Sequence, residues 1–400
     1  MHARTSFVAA AACAAFCAVA FFTASPLRAA EKPDYKATAE RIVGQCAGVK
    51  EGDRVVVRGD LRDIEFVEEL TLAVWRRGAE PIQVLGRERA LRRYFDEVPA
   101  KVDTLPASLS LKLAGIQTVD ISIYGEEFPG QLDSVAPARI AATGQRSSDV
   151  FHASLKAGVR HVSIGNGLYP TDATAKQHGL SKAQLADLYW KGINVDYAQM
   201  QAKGAALKAI LAAGKEVRVT HPNGTNLICR IAGRPVFVSA GVISAEDVAK
   251  GGAALQAWLP AGEVYLVPVP GTAEGKIVHD TLRFAAGVIR GATFTVKAGK
   301  MVAHAAQPGP EYELWKKRYA AAPASRDDFA YVDIGINPNV KVPAGSKLTS
   351  WVPAGAVSLG FGGNVWAGGA NTISWATGGS INGCTLTVDG KVVVENGVLK

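Results

Sequence analysis

Imidazoles and carboxylates are the side chains that hold catalytic metals and move protons near neutral pH. Beyond the first thirty residues the chain offers His152, His161, His178, His221, His279 and His304. The densest grouping is His279-Asp280 with His304 on a neighbouring predicted strand, followed by Glu311 and Glu313. Adjacent strand residues point to opposite faces, so His279 and Asp280 cannot both reach one ion from a regular strand. His221 precedes Pro222-Asn223-Gly224, a turn, and is the best-placed imidazole for a cleft. Two readings stand for each histidine, a site group or a satisfied structural side chain, and no spacing matches a known ligand pattern. H-E-x-x-H is absent. Ser239 lacks the leading glycine of a G-x-S-x-G elbow, and there is no P-loop. Gly165-Asn166-Gly167 follows a predicted strand, but Pro170 occupies the third position of a dinucleotide-binding glycine pattern.

The elements that must carry these residues fall into two patterns. Asp34 to Ala47 reads as a helix with Ala37, Ile42, Val43 and Cys46 on one side. Arg54 to Arg58 is a short strand, and Ile64 to Arg77 is a helix with Phe66, Val67, Leu70, Val74 and Trp75 on one stripe. That helix stops at Gly78, and Pro81 to Leu85 is the next strand, which completes a right-handed βαβ unit. Strands at Val119 to Tyr124 and Val159 to Ile164 continue the pattern. Ser181 with Gln184 forms a capping box, and a longer helix runs from Asp196 to Ala213. Near residue 215 hairpin signals take over, with turns at Gly233 and Gly299. The segment Gly360 to Gly383 holds Trp366 and Trp375 and reads as glycine-rich strands. The expected fold is an α/β N-terminal domain with a mainly parallel sheet over residues 30–215, followed by an α+β C-terminal domain over residues 216–400.

Four hundred residues with 48 % apolar and 20 % charged side chains describe a globular protein of two domains. His2 and Arg4 precede an apolar run from Phe7 to Phe22, and Ser25 to Ala30 supplies small residues. This is the pattern of a secretory signal peptide over residues 1–29, cleaved near Ala29. An exported, periplasmic or extracellular protein with no stable membrane insertion is therefore expected. Loss of Arg4 and Arg28 takes two units from a formal charge of +8. The remaining basic residues are scattered, which argues against nucleic acid as a partner. Cys46, Cys229 and Cys384 remain; an oxidising compartment permits Cys229 to pair with Cys384, and buried free thiols are the alternative.

Several segments resemble one family. Gly48 to Gly86, with its EGDRVVVRGD and GAEPIQVLG runs, is similar to the amino-terminal domain of the aminopeptidase T metallopeptidases. Gly224-Thr225-Asn226-Leu227 resembles the motif that opens their catalytic domain. Leu259-Pro260-Ala261-Gly262-Glu263-Val264-Tyr265 resembles the segment that carries a metal-binding glutamate. Gly335 to Pro338, Gly368 to Asn371 and Val388 to Gly390 follow in the family's order. The resemblance implies an α/β domain, an α+β domain with a two-metal cleft, and a homodimer.

The side chains that would hold two ions are mostly absent. The first family glutamate matches Glu263, the one position at which the resemblance implies a metal ligand. The second falls on Tyr331, with Asp333 two residues on, on the same strand face but about 7 Å away. A family histidine aligns with Ser358, and the histidine and aspartate after the Gly-Gly-x-Asn segment align with Ala376 and Gly378. Glu263 is either a retained ligand or site group, or a carboxyl satisfied by backbone donors. The expected pocket comprises Glu263, Tyr331, Asp333, Ser358, Asn371 and His221. No cofactor is expected, and a divalent metal ion is the one to test for. The expectation is a divergent aminopeptidase-T-like protein that binds or transforms a small molecule or peptide. The alternative is an active metallo-aminopeptidase or other hydrolase with a site rebuilt from His221, His279, His304 and nearby carboxylates. A third possibility is a partner-binding protein with its cleft closed by Trp366 and Trp375. The iron-dependent dihydroxypyridine dioxygenases resemble the family's second domain, but their His/Asp ligand set is missing here too.

Overall fold

A computed structural model describes residues 33–400, so the signal-peptide expectation lies outside the described residues. The strands are β1 (Arg54–Asp60), β2 (Glu80–Gly86), β3 (Val119–Ile123), β4 (Arg160–Ile164), β5 (Glu216–Thr220) and β6 (Asn226–Arg230). They continue with β7 (Val236–Ser239), β8 (Gln256–Leu259), β9 (Glu263–Leu266), β10 (Glu274–Phe284), β11 (Gly287–Lys297) and β12 (Lys300–Ala305). The last are β13 (Phe329–Gly335), β14 (Val357–Gly362), β15 (Ala376–Ile381), β16 (Thr385–Val388), β17 (Lys391–Glu395) and β18 (Val398–Leu399).

The first sheet has the order β2-β1-β3-β4-β8, and every pairing in it is parallel. Val55, Val56 and Val57 are all buried, the run expected of a strand covered on both faces. The βαβ unit closes through the helix Ile64–Trp75, whose Phe66, Val67, Leu70 and Val74 are buried. Each such side chain contributes about 1.5–3 kcal/mol on leaving water. Trp75 is 59 % exposed, against expectation, because it lies a further 100° round the helix from Val74. On the first helix Thr38 and Ala39 face the core in place of Ala37. Gly78 takes φ +69° just past the Trp75 end, as a helix-stopping glycine should. Ser181 and Gln184 make the expected capping box at the helix Lys182–Ile193.

From β5 onward the pairing is antiparallel, apart from β8. An eight-stranded sheet runs β12-β11-β10-β6-β5-β16-β17-β18, and a five-stranded sheet runs β15-β14-β13-β9-β7. The fold is thus an α/β region with a parallel sheet followed by antiparallel sheets with helices. The change of pattern near residue 215 coincides with the start of β5, yet β8 returns to the first sheet beside β4. One continuous apolar core also joins residues from Ala39 to Val394.

Two local expectations differ from the structure. The runs flanking Gly233 do not form a hairpin: β6 pairs with β5 and β10, whereas β7 pairs with β9 in the other sheet. Short apolar runs specify a strand but not its partner. The hairpin at Gly299 does form, joining β11 to β12 with Ala298 and Gly299 both at positive φ. His279 on β10 and His304 on β12 are separated by β11 and so are not on adjacent strands. Cys229 and Cys384 are buried free thiols, as is Cys46. Strand β5 lies between them, since Cys229 faces Val217 while Thr385, next to Cys384, faces Thr220. Two strand spacings amount to about 10 Å, beyond the reach of a disulfide.

Candidate functional site

Register in the five-stranded sheet brings the site together. Gly335 of β13 stands opposite Glu263 of β9, and Asp333 stands opposite both Tyr265 of β9 and Ser358 of β14. Directly paired residues share a face and alternate residues return to it. Glu263, Tyr265, Tyr331, Asp333 and Ser358 therefore project from one side. The intervening Val264, Val332, Ile334 and Val357 fill the core on the other, each no more than 1 % exposed.

Over this polar face lies a cavity of about 350 Å³ lined by Glu263, Asp333, Tyr331 and Ser358. The first sheet closes it from the opposite side with Ser163 of β4, Gln256 and Trp258 of β8, and Asn166 from the loop after β4. Phe151 of the helix Pro137–Lys156, Trp351 and Trp366 complete the wall. The return of β8 to the first sheet is what places Gln256 and Trp258 there. Gln256 also donates from Nε2 to the Trp366 carbonyl at 2.9 Å, tying the tryptophan segment to that strand. Trp366 meets Trp258 edge-to-face at 5.5 Å and Tyr331 at 5.0 Å, so three rings form a corner.

Glu263 is 2 % exposed. Asn166 Nδ2 donates to its Oε1 at 2.6 Å and to the Pro260 carbonyl at 2.9 Å. Trp351 Nε1 donates in turn to Asn166 Oδ1 at 2.7 Å. Burial pushes the Glu263 carboxyl up to about 8, and the Asn166 and Trp351 donors oppose that shift. Asp333 is 3 % exposed, and its Oδ1 has no hydrogen-bond partner. Burial first, and the neighbouring Glu263 second, hold its carboxyl well above the usual range; the Ile334 N–H pulls it down. Both carboxyls are thus held toward the protonated form, Asp333 by burial and by its neighbour Glu263. Such a pair can hold, donate and recover a proton beside a bound molecule.

The other members of the face are fixed by packing. Tyr331 lies over Gly360, where a Cβ would stand 2.6 Å from its ring, so only glycine fits there. Ser358 Oγ and Ser380 Oγ are 2.9 Å apart. Asn166 sits at φ 44° between two glycines. A Cβ at Gly165 would meet the Tyr124 carbonyl at 2.1 Å. His178 Nε2 donates to the Gly167 carbonyl at 3.2 Å and holds the loop from behind. Burial lowers that imidazole to about 4.

Of the residues expected in the pocket, Glu263, Tyr331, Asp333 and Ser358 line this one cavity; Asn371 and His221 do not. Asn371 Nδ2 donates to the Ser325 and Gly362 carbonyls at 2.7 and 3.0 Å and braces a loop. His221 Nδ1 accepts from the Asn223 backbone at 3.1 Å in the turn between β5 and β6. His279 is buried against Phe294, and desolvation lowers it to about 4. His304 Nδ1 pairs with Tyr312 Oη at 2.8 Å, and His161 Nε2 with Ser154 Oγ at 2.8 Å. None of the six histidines lines the cavity among the described residues. Trp366 lines it, whereas Trp375 packs against Trp315 and Tyr319. One local signal points to Asn166, the Gly-Asn-Gly after a strand; Trp258 and Trp351 carry none, because their convergence is tertiary.

A parallel α/β sheet and an antiparallel α+β sheet closing over a buried carboxyl pair define the class. The sequence profile of the thermophilic metalloprotease family (M29) matches residues 32–316, and the chain belongs to that family. Wild-type AmpT from Thermus thermophilus has a similar structure, with a TM-score of 0.69 at 16 % identity over 91 % of this chain and 98 % of that one. A 2,5-dihydroxypyridine dioxygenase from Pseudomonas putida KT2440 gives a TM-score of 0.59 at 12 % identity over 92 % and 96 %. No curated protein matches. The family's description implies a metal, but the donor set here does not fit one. Two carboxyls without an imidazole are too few ligands for a dinuclear centre. No cluster of three or more His, Cys, Asp or Glu suited to a metal occurs among the described residues.

Proposed function

We propose that this chain is an exported M29-family protein whose cleft binds or transforms a small molecule or peptide. On this reading it is not a standard dinuclear metallo-aminopeptidase. One observation carries the proposal: among the described residues the cavity's only carboxyls, Glu263 and Asp333, are both buried, and no imidazole joins them. Tyr331 stands where the resemblance expects a second glutamate, and its half-buried ring forms wall instead of ligand. A divalent ion needs several converging donors, which this pair does not supply. Glu263 and Asp333 instead form the floor of an aromatic cavity, with Asn166 fixing the Glu263 carboxyl. Ser358 and Gln256 add polar edges that orient a ligand.

Export rests on the basic start, the apolar run Phe7 to Phe22 and the small-residue exit by Ala29. No helix among the described residues is long and apolar enough to cross a membrane. Intact mass of the protein recovered outside the cytoplasm tests cleavage near Ala29. For the cleft, the purified protein is supplied with zinc, cobalt or manganese and incubated with aminoacyl chromogenic substrates. No turnover above buffer is expected, and metal-dependent cleavage would sink the reading.

A further inference from the structure

We infer that the cavity takes a compact organic ammonium ion bearing at least one N–H, seated between the Glu263–Asp333 carboxyls and the corner formed by Trp258, Trp366 and Tyr331. This assignment rests on the reading of the cleft as a small-molecule site. Three independent observations lead to it.

The first is an acceptor without a donor. Asp333 Oδ1 is buried and unpartnered although nearly every buried polar atom in a folded protein is hydrogen-bonded. It lies in the cavity lining, so a ligand N–H can reach it. The second is charge. Among the described residues two carboxyls line the cavity, and no Lys, Arg or His does. A cationic ligand stabilises the ionised form of this pair, for which the lining itself supplies no counter-charge. The third is the wall. Trp258, Trp351, Trp366, Tyr331 and Phe151 present aromatic surface, which attracts an organic cation through the ring quadrupole. Such a wall offers a metal ion none of the oxygen donors it requires. A volume of about 350 Å³ limits the ligand to a compact molecule.

An N–H is required because a quaternary ammonium leaves Asp333 Oδ1 without a donor. Binding of the cation also favours the ionised carboxyls and so releases a proton. The titratable groups facing the pair are Tyr265 and Tyr331, phenols held protonated by burial. Affinity for an amine therefore rises with pH as the carboxyls ionise, until the amine itself loses its proton.

Calorimetric titration of the mature protein with benzylamine, benzyl alcohol and benzyltrimethylammonium tests the assignment. Benzylamine is expected to bind at least about tenfold more tightly than the alcohol and more tightly than the quaternary ion. Its affinity is expected to rise between about pH 6 and about pH 8. Asp333→Asn, which keeps the shape, is expected to weaken benzylamine about tenfold and leave benzyl alcohol unchanged. Trp366→Leu is expected to weaken all three. Equal affinity for amine and alcohol, or an undiminished amine affinity in Asp333→Asn, overturns the ammonium assignment while the small-molecule cleft stands. Binding of none of the three probes overturns the assignment as well, and the hydrolysis assay then decides the cleft. Metal-dependent cleavage of aminoacyl substrates overturns both.

Discussion

Asp333 lies diagonally across the ladder from Glu263. It stands opposite Tyr265 while Glu263 stands opposite Gly335, so both carboxyls leave the same face of the sheet and enter one cavity. Burial holds both carboxyls above the usual range, Glu263 adds to the shift at Asp333, and the pH dependence of the fold follows from that.

Glu263 titrates at about 8 in the folded protein, against an ordinary carboxyl value of 4.5 in an open chain. The folded state thus binds more protons between those values, and stability falls as pH rises through the window. Thermal denaturation of the wild type should show the melting temperature dropping from about pH 5 to about pH 8, a loss of a few kcal/mol. Glu263→Gln cannot ionise and should flatten much of that slope. A slope of the opposite sign over this window would contradict a Glu263 carboxyl raised by burial.

Asn166 holds Glu263 and receives Trp351, so its removal acts on both. Asn166→Gly preserves the backbone freedom that φ 44° needs and deletes only the side chain. Loss of its three side-chain bonds, to Glu263, to the Pro260 carbonyl and from Trp351, should cost about 1–3 kcal/mol. Since the Asn166 donor lowers the Glu263 pKa, its loss should move the stability transition to higher pH. Chemical denaturation at several pH values measures both effects.

Gly360 leaves room for Tyr331. A methyl group there would stand 2.6 Å from the ring, so Gly360→Ala should displace Tyr331 from its edge contact with Trp366. Overpacking of this kind costs about 1–3 kcal/mol. A lower melting temperature with altered tryptophan fluorescence is the expected outcome, and an unchanged near-ultraviolet spectrum would speak against the packing described.

Cys46, Cys229 and Cys384 are buried thiols that desolvation pushes up to about 12. In the native protein none of these three should react with an aromatic disulfide reagent, and all three should react after unfolding. Mass analysis without reductant should find no bond between Cys229 and Cys384.

Much of the chain's architecture could be read from its periodicity. Helical stripes such as Phe66, Val67 and Leu70, flanked by short valine-rich strands, can form only a βαβ unit. The return of β8 to the first sheet had no such signal, because four residues, Gln256 to Leu259, carry no period. The false hairpin at Gly233 has the same origin: two apolar runs beside a turn do not reveal that one belongs to another sheet. At the site, Glu263, Tyr331, Asp333 and Ser358 were legible through the resemblance to the family's ligand positions, and the pairing of β9, β13 and β14 brings them to one face. His221 was drawn from a turn and Asn371 from the Gly-Gly-Ala-Asn segment of the resemblance, and neither local signal fixes the direction of the cleft. Trp258, Trp351 and Trp366 come from three separate segments, and only the assembled fold makes them one wall.

The central claim is that the cleft is a carboxyl-floored binding site and not a dinuclear metal centre. Equilibrium dialysis of the purified protein against zinc, cobalt or manganese, followed by elemental analysis, tests it most directly. The account predicts well under one equivalent per chain, unaltered by Glu263→Gln. Two equivalents per chain, lost in Glu263→Gln, would contradict it.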